Sequence, residues 1–167
     1  MKTLYLLRHA KSSWDHSGVS DRDRPLNNRG QRDAPRMGAA LAQQIEPVAP
    51  CVSPACRAQQ TLEGVCQGWP ALADLGHDTV EELYTFSADG VQDWITGCGY
   101  DASSLFIIGH NPALTDLSNR LVGYPVLDNL PTAGFMRFSV VIDSWEQLRP
   151  GLAELTLALF PKDLPPS

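Results

Sequence analysis

Two short, continuous apolar runs constrain the fold of this chain most strongly. Residues 3–7 read TLYLL and residues 105–108 read LFII. A strand with no polar alternation is buried on both faces, which is typical of a parallel sheet covered by helices. We therefore expect both runs to be interior strands.

Amphipathic segments between these runs predict helices. From residue 28 to residue 45, apolar residues recur at three- and four-residue steps, although Pro35 is expected to kink or delay the helix. Ser53 and Pro54 have the residue types of an N-cap and a first helical position. Further helices are expected to begin at Ser87 and at Asn111-Pro112.

The order of these elements predicts the fold class. Strands are also expected at residues 48–53 and 79–83, while the alternating residues 136–142 and 155–159 predict a terminal hairpin. Strands that alternate with helices favour a single-domain, three-layer α/β/α sandwich with a mostly parallel central sheet. With 167 residues, we expect one domain at 1–160 and a frayed, Pro-rich tail at 161–167.

Charge and hydropathy exclude several classes of partner. The formal net charge is −6 and no Lys/Arg-rich run occurs, so neither a nucleic-acid surface nor a polybasic membrane patch is expected. The longest apolar stretch is too short to span a membrane, and the first residues lack the features of a signal peptide. The sequence predicts a cytoplasmic protein.

Arginine and histidine follow three of the predicted strands. Arg8 and His9 follow the first strand, Arg57 lies one helical turn beyond the second, and His110 follows residues 105–108. Because the carboxyl ends of parallel strands meet at one edge of the sheet, these side chains are expected to converge there. No metal-type carboxylates accompany them, and arginine donors match phosphate oxygens, so the set predicts an anion pocket without a metal.

Two histidines exceed what phosphate binding alone requires. A neutral imidazole is a competent nucleophile toward phosphorus, and neighbouring cations lower its pKa while they stabilise the transferring phosphoryl group. Taken singly, His9 could be a satisfied polar residue, Arg57 a surface arginine and His110 part of a helix cap. Their conjunction at successive strand ends favours a reaction centre, whereas His16 and His77 are expected to be solvated.

Four motifs carry a resemblance to a known family. The stretches LLRHAKSSW, DRDRPLNNRG, SPACRAQQT and GHNPALTDL together resemble the histidine phosphatase superfamily, which has a phosphoglycerate mutase-like fold. They are most similar to the SixA-type phosphohistidine phosphatases, over residues 2–160. The resemblance implies that His9 becomes phosphorylated and that Arg8, Arg57, His110 and the Asn111 backbone bind the phosphoryl oxygens. It implies no metal and no cofactor.

The resemblance also suggests a substrate. Larger relatives carry insertions that roof the site, and this chain has no room for such a cap, so the site is expected to be open. An open site suits phosphohistidine in another protein, such as a histidine phosphotransfer domain of two-component signalling. A small-molecule phosphomonoesterase is the alternative. A non-catalytic phospho-binding module would not need His9, and a mutase would need a closed site.

The proton donor is the least determined part of the predicted site. Glu82 lies where relatives present a carboxylate after the third strand, but the adjacent Glu81 makes an ordinary surface position equally compatible. Asp15, Asp21 and Asp23 are substitutes that we expect to be solvated. Ser12 is expected either to bind phosphate or to act as a spacer.

Overall fold

The computed structural model describes residues 1–15 and 18–166, so His16 lies outside the described residues. Within these ranges the chain forms six strands and five α-helices. The strands are β1 (Lys2–Arg8), β2 (Pro50–Val52), β3 (Asp78–Thr79), β4 (Ser104–Gly109), β5 (Phe135–Val140) and β6 (Ala153–Leu159). The helices are α1 (Asn28–Ala42), α2 (Cys56–Gly68), α3 (Pro70–Ala73), α4 (Ala88–Gly97) and α5 (Ala113–Val122).

The strands form one mixed sheet in the order β3-β2-β4-β1-β5-β6. Parallel pairing joins β3 to β2, β2 to β4 and β4 to β1, whereas β5 is antiparallel to both β1 and β6. The mostly parallel sheet and the terminal hairpin are therefore both confirmed.

Two hydrophobic clusters cover the two faces of the sheet. Leu6 and Ile107 pack into a cluster with apolar residues of α4 and α5. Leu7 and Ile108, the next residues along the same strands, pack with α1 and α2. Because successive side chains of a strand point to opposite faces, the uninterrupted apolar runs supply both clusters. This arrangement confirms the α/β/α sandwich.

One predicted helix start is confirmed and another differs in the structure. Helix α1 begins at Asn28, where the side chain of Asn27 accepts a hydrogen bond from the Gly30 N–H, and it continues through Pro35 without delay. Helix α2 begins at Cys56 rather than at Pro54, so the prediction of Ser53 as its N-cap was wrong. The Ser53 hydroxyl instead lies 2.8 Å from a ring nitrogen of His110.

The third predicted strand is shorter than expected. Strand β3 ends at Thr79, and a 3-10 turn follows at Glu81–Leu83. Val80 and Leu83 are both buried, and a tight turn brings side chains three residues apart onto the same side. A strand would have placed these two side chains on opposite faces of the sheet.

The described part of the Pro-rich tail is held against α1. The guanidinium of Arg36 donates hydrogen bonds to the backbone carbonyls of Pro161, Leu164 and Pro165. The described part of the tail is therefore ordered by hydrogen bonds, whereas its composition predicted fraying. The domain boundary at residue 160 stays a prediction. No helix within the described ranges is both long and apolar enough to cross a membrane.

Candidate functional site

The pairing of β1 with β4 brings two histidines together. Arg8 is opposite Gly109 in the ladder, and the His9 N–H donates to the Gly109 carbonyl at 3.0 Å. The residues that follow, His9 and His110, have ring centroids 5.2 Å apart. Both side chains are buried, so the two imidazoles lie side by side at the end of the central strands with little exposed surface.

A loop at residues 129–134 fixes Arg8. The Arg8 Nη1 donates to the Leu130 carbonyl at 2.9 Å. The Ala133 N–H donates to the carbonyls of both Arg8 and His9 at 3.1 Å, with Ala133 in the left-handed region at φ 57°. Because these contacts use main-chain carbonyls, the side-chain pattern of the loop gave no indication of its role.

Arg57 reaches the same site from the first turn of α2. Its side chain is buried, and its Nη1 and Nη2 donate to the carbonyl oxygen and the Oδ2 of Asp21 at 2.7 and 3.1 Å. Two-point donation of this kind holds a guanidinium in one orientation. The predicted convergence of Arg57 with Arg8, His9 and His110 is therefore present in the fold.

Asp21, which the sequence suggested only as a substitute proton donor, contacts several side chains of the site. Besides the Arg57 contact, its Oδ2 accepts a hydrogen bond from the Tyr84 hydroxyl at 2.6 Å, and its Oδ1 accepts one from Arg24 Nε at 3.2 Å. Burial raises the pKa of Asp21, but the hydrogen bonds from Tyr84 and Arg57 outweigh burial and lower the pKa to about 2. Asp21 is exposed, as expected, but its carboxylate is held by hydrogen bonds from Arg57 and Tyr84 rather than surrounded by solvent alone.

Arg24 adds another cation that was not predicted as a site residue. Its Nη1 donates to the Ser12 hydroxyl at 2.7 Å and to the Ser13 carbonyl at 3.2 Å. Its guanidinium stacks on the exposed Trp14 ring at 3.6 Å from the centroid. Ser12 therefore touches the site through Arg24, and its binding of phosphate stays a prediction.

An open cleft of about 310 Å³ exposes this cluster. Its described lining includes the cations Arg8, Lys11, Arg24 and Arg57, while Asp21 is the one acidic residue among the described lining residues. Although the net charge of the chain is −6, positively charged side chains are concentrated around this cleft. Such a cleft attracts and binds anions.

One ring nitrogen of His9 is unprotonated and carries a lone pair. Its Nδ1 lies 2.7 Å from the Ala10 carbonyl oxygen, which can only accept, so Nδ1 carries the proton and Nε2 does not. Burial, opposed by this hydrogen bond and reinforced by repulsion from His110, Arg57 and Arg8, lowers the pKa of His9 to about 3. His9 is therefore neutral at pH 7.

His110 is also neutral, and one of its ring nitrogens belongs to a set of buried nitrogens without a hydrogen-bond partner among the described residues. Burial and the charge of Arg57 lower the pKa of His110 to about 3. Three buried nitrogens in the site, Arg8 Nε, Arg57 Nε and His110 Nδ1, have no hydrogen-bond partner among the described residues. Because native proteins pair nearly all buried polar atoms, such a cluster indicates a place where a ligand supplies acceptors.

The remaining predicted residues lie at the edge of this cluster. Asn111 lines the cleft, and its Oδ1 accepts from the Thr115 N–H near the start of α5. Glu82 is exposed in the Glu81–Leu83 turn, and no hydrogen bond or ion pair of Glu82 occurs among the described residues. The neighbouring Glu81 pairs with Arg22 instead. The role of Glu82 as a general acid stays a prediction.

The acidic, cysteine and histidine side chains of the described residues do not form a recognisable metal site. Within residues 1–15 and 18–166, no three of them converge in a way that could hold a metal ion.

The sequence profile of the histidine phosphatase superfamily (branch 1) matches residues 4–89, which is just over half of the chain. This chain belongs to that superfamily. The matched range contains Arg8, His9, Asp21 and Arg57. A protein of Mycobacterium tuberculosis with no described function is 31% identical over 159 residues, covering 89% of this chain and 96% of that protein.

Solved structures of this superfamily share the whole fold. A protein from Nakamurella multipartitia that is assigned as the phosphohistidine phosphatase SixA superposes with a TM-score of 0.78 at 27% identity, covering 96% of both chains. A SixA protein histidine phosphatase complexed with tungstate has a TM-score of 0.76 at 22% identity, covering 96% of this chain and 98% of that one. The chain is thus a phosphatase of the histidine phosphatase superfamily with a SixA-like fold.

The two neutral histidines predict a pH-dependent stability. In the unfolded chain they take up protons near pH 6.5, whereas in the folded chain they do not until the pH approaches 3. The free energy of unfolding should therefore fall as the pH decreases from 7 to 5.5, by about 1 kcal/mol for each histidine. In His9→Gln this fall should be smaller by about that amount, measured by urea unfolding at both pH values.

The exposed His77 lies outside the cleft lining, so His77→Gln provides the matched control for the loss of one histidine side chain. An unaltered pH dependence in His9→Gln would show that His9 takes up its proton at the same pH in the folded and unfolded chains, and would contradict the lowered pKa of His9.

The Asp21 carboxylate should weaken the binding of free oxyanions. It accepts a hydrogen bond from Arg57 Nη2 and places a negative charge in the cleft, while Arg57 Nη1 donates to the main-chain carbonyl of Asp21. Asp21→Asn should therefore tighten tungstate binding by about tenfold, equivalent to about 1.4 kcal/mol, as measured by isothermal titration calorimetry. Asp23→Asn makes the same charge change in the same 3-10 turn, outside the described cleft lining, and should have little effect. Equal affinities for wild type and Asp21→Asn would contradict competition by Asp21.

Proposed function

We propose that this phosphatase acts through a covalent phosphohistidine at His9 and that its substrate is a phosphohistidine side chain in another protein. The observation that carries the proposal is the set of buried, unpartnered nitrogens beside a neutral His9, which comprises the donors Arg8 Nε and Arg57 Nε and the ring nitrogen Nδ1 of His110. A phosphoryl group offers oxygen acceptors to such donors and a phosphorus atom to the imidazole.

In the proposed reaction, the Nε2 lone pair of His9 attacks phosphorus while the bond from phosphorus to the leaving nitrogen breaks. Donors on Arg8, Arg57 and His110 stabilise the charge on the phosphoryl oxygens. Water then attacks the phosphorus, the bond to Nε2 breaks, and phosphate and neutral His9 are released. The charge stabilisation comes from these side chains, so the proposal invokes no metal ion or cofactor.

The ionised state of the Asp21 carboxylate favours a substrate whose leaving group needs little acid catalysis. Asp21 is ionised in the free protein because Tyr84 and Arg57 donate to its carboxylate, so it has no proton to give. An alkoxide leaving group requires a proton from the enzyme, whereas the nitrogen of a phosphohistidine can be protonated from solvent. A phosphohistidine substrate therefore suits this site better than an alkyl phosphate does.

The openness of the cleft and the structural neighbours support the same substrate class. The exposed rings of Trp14 and Phe86 line the mouth, which leaves space for a side chain presented by a folded partner. A SixA neighbour is assigned as a phosphohistidine phosphatase, and another was solved with tungstate, a tetrahedral oxyanion like phosphate. A histidine phosphotransfer domain is the partner type that we propose.

Replacement of His9 tests the covalent step. His9→Ala should lower kcat/KM by about a thousandfold or more, because the attacking nitrogen is removed. It should also abolish labelling of the enzyme by a radioactive phosphoryl donor, a label that in the wild type is acid-labile and alkali-stable. His77→Ala should retain both activity and labelling. Full activity of His9→Ala would exclude the proposed nucleophile.

The choice of substrate needs a separate comparison. We expect kcat/KM to be highest on a phosphorylated histidine phosphotransfer domain, lower on a phosphohistidine peptide, and at least about tenfold lower again on sugar phosphates, since these need an acid for the leaving oxygen. Higher kcat/KM on sugar phosphates would favour the small-molecule phosphomonoesterase instead. Binding of the phosphorylated domain with no turnover of any substrate would favour a phospho-binding module.

A further inference from the structure

Ser53 holds its hydroxyl against His110 at the end of β2. The residue is fully buried, its N–H donates to the Ile108 carbonyl at 3.1 Å, and its own carbonyl accepts from Gln59 Nε2 at 3.0 Å. With the backbone fixed on both sides, the Ser53 Oγ lies 2.8 Å from His110 Nε2.

The contacts of the Ser53 hydroxyl indicate which neighbouring atom receives its proton in a hydrogen bond. The Ala55 N–H donates to the Ser53 Oγ at 3.2 Å, so that contact uses a lone pair of the oxygen. The hydroxyl proton still needs an acceptor, since buried polar hydrogens are rarely left unpaired. Among the described residues, the remaining partner of the Ser53 Oγ is His110 Nε2. The hydroxyl therefore donates to that nitrogen.

This direction selects one tautomer of His110. If Nε2 carried the proton, the Ser53 hydroxyl would lose its acceptor and the buried Nδ1 lone pair would have no donor within the described part of the chain. If Nδ1 carries the proton, the Ser53 contact is satisfied and one N–H is left for a ligand. The Nδ1–H tautomer leaves fewer buried groups unpaired, and it offers a donor rather than a lone pair to an anionic oxygen.

We propose that Ser53 is a positioning residue that keeps His110 in the Nδ1–H tautomer, so that His110 donates this proton in a hydrogen bond to a phosphoryl oxygen. The role toward phosphate rests on the proposed function, whereas the tautomer is a property of the free protein. Ser53 does not touch the reacting atoms; it acts through His110.

Nitrogen NMR of the imidazole rings tests the tautomer directly. In ¹⁵N-labelled wild type at pH 7, with the His110 signals assigned by their loss in His110→Gln, Nδ1 should give the protonated-type signal and Nε2 the unprotonated type. In Ser53→Ala the two signals should shift toward each other or exchange types. Ser118→Ala removes another fully buried serine hydroxyl, which bonds within α5, and should leave the His110 signals unchanged.

Kinetics then test the consequence. Ser53→Ala should lower kcat/KM by at least about tenfold, as expected when a residue that fixes a catalytic tautomer is lost, and it should weaken tungstate binding. Ser53→Thr, which keeps the hydroxyl, should restore the wild-type ring signals and part of the activity. Ser118→Ala should retain full activity.

The outcomes separate this inference from the proposed function. A wild-type spectrum with the proton on Nε2 overturns the inference even if no variant folds, and it leaves the covalent role of His9 intact. An Nδ1–H signal in an enzyme whose His9 is never phosphorylated supports the tautomer and defeats the proposed function. Unchanged kcat/KM and tungstate affinity in a folded Ser53→Ala would remove Ser53 from the mechanism.

Discussion

The backbone ladder between β1 and β4 is the interaction on which the rest of the site depends. Its register sets Arg8 opposite Gly109 and thereby places His9 beside His110. The register is held by burial, because a slip of one residue would move every apolar side chain of a strand to the opposite face. The two hydrophobic clusters that flank the sheet therefore align the histidines as a consequence of their own packing.

The site itself is electrostatically unfavourable without a ligand. Arg8, Arg24 and Arg57 lie around one cleft, and burial removes much of the water that would screen their repulsion. The structure offsets this in two ways. Both imidazoles stay neutral, and Asp21 supplies a carboxylate to Arg24 and Arg57. The cluster thus depends on the surrounding core for its geometry and on one loop carboxylate for its charge balance.

The sequence predicted the parts of the site that follow from regular structure. Arg8, His9, Arg57 and His110 converge because parallel strands end at one edge, which apolar periodicity alone suffices to predict. Asp21, Arg24 and Ser53 could not be assigned in this way. The first two lie in a region without periodicity, where position depends on long-range contacts. The residue types of Ser53 and Pro54 are those preferred at the start of a helix, so local propensity predicted a capping role for Ser53. In the folded chain its hydroxyl instead contacts His110, which local propensity could not predict.

The Asp21 contact gives the enzyme a permanent internal competitor for its own anion site. A carboxylate tethered beside Arg57 has an effective concentration far above that of any free anion, and it does not diffuse away after each turnover. A small oxyanion that enters the cleft therefore competes with the Asp21 carboxylate for Nη2 of Arg57. The carboxylate thus favours departure of a small anion, whereas a ligand that also contacts the rim of the cleft gains binding free energy that Asp21 does not oppose.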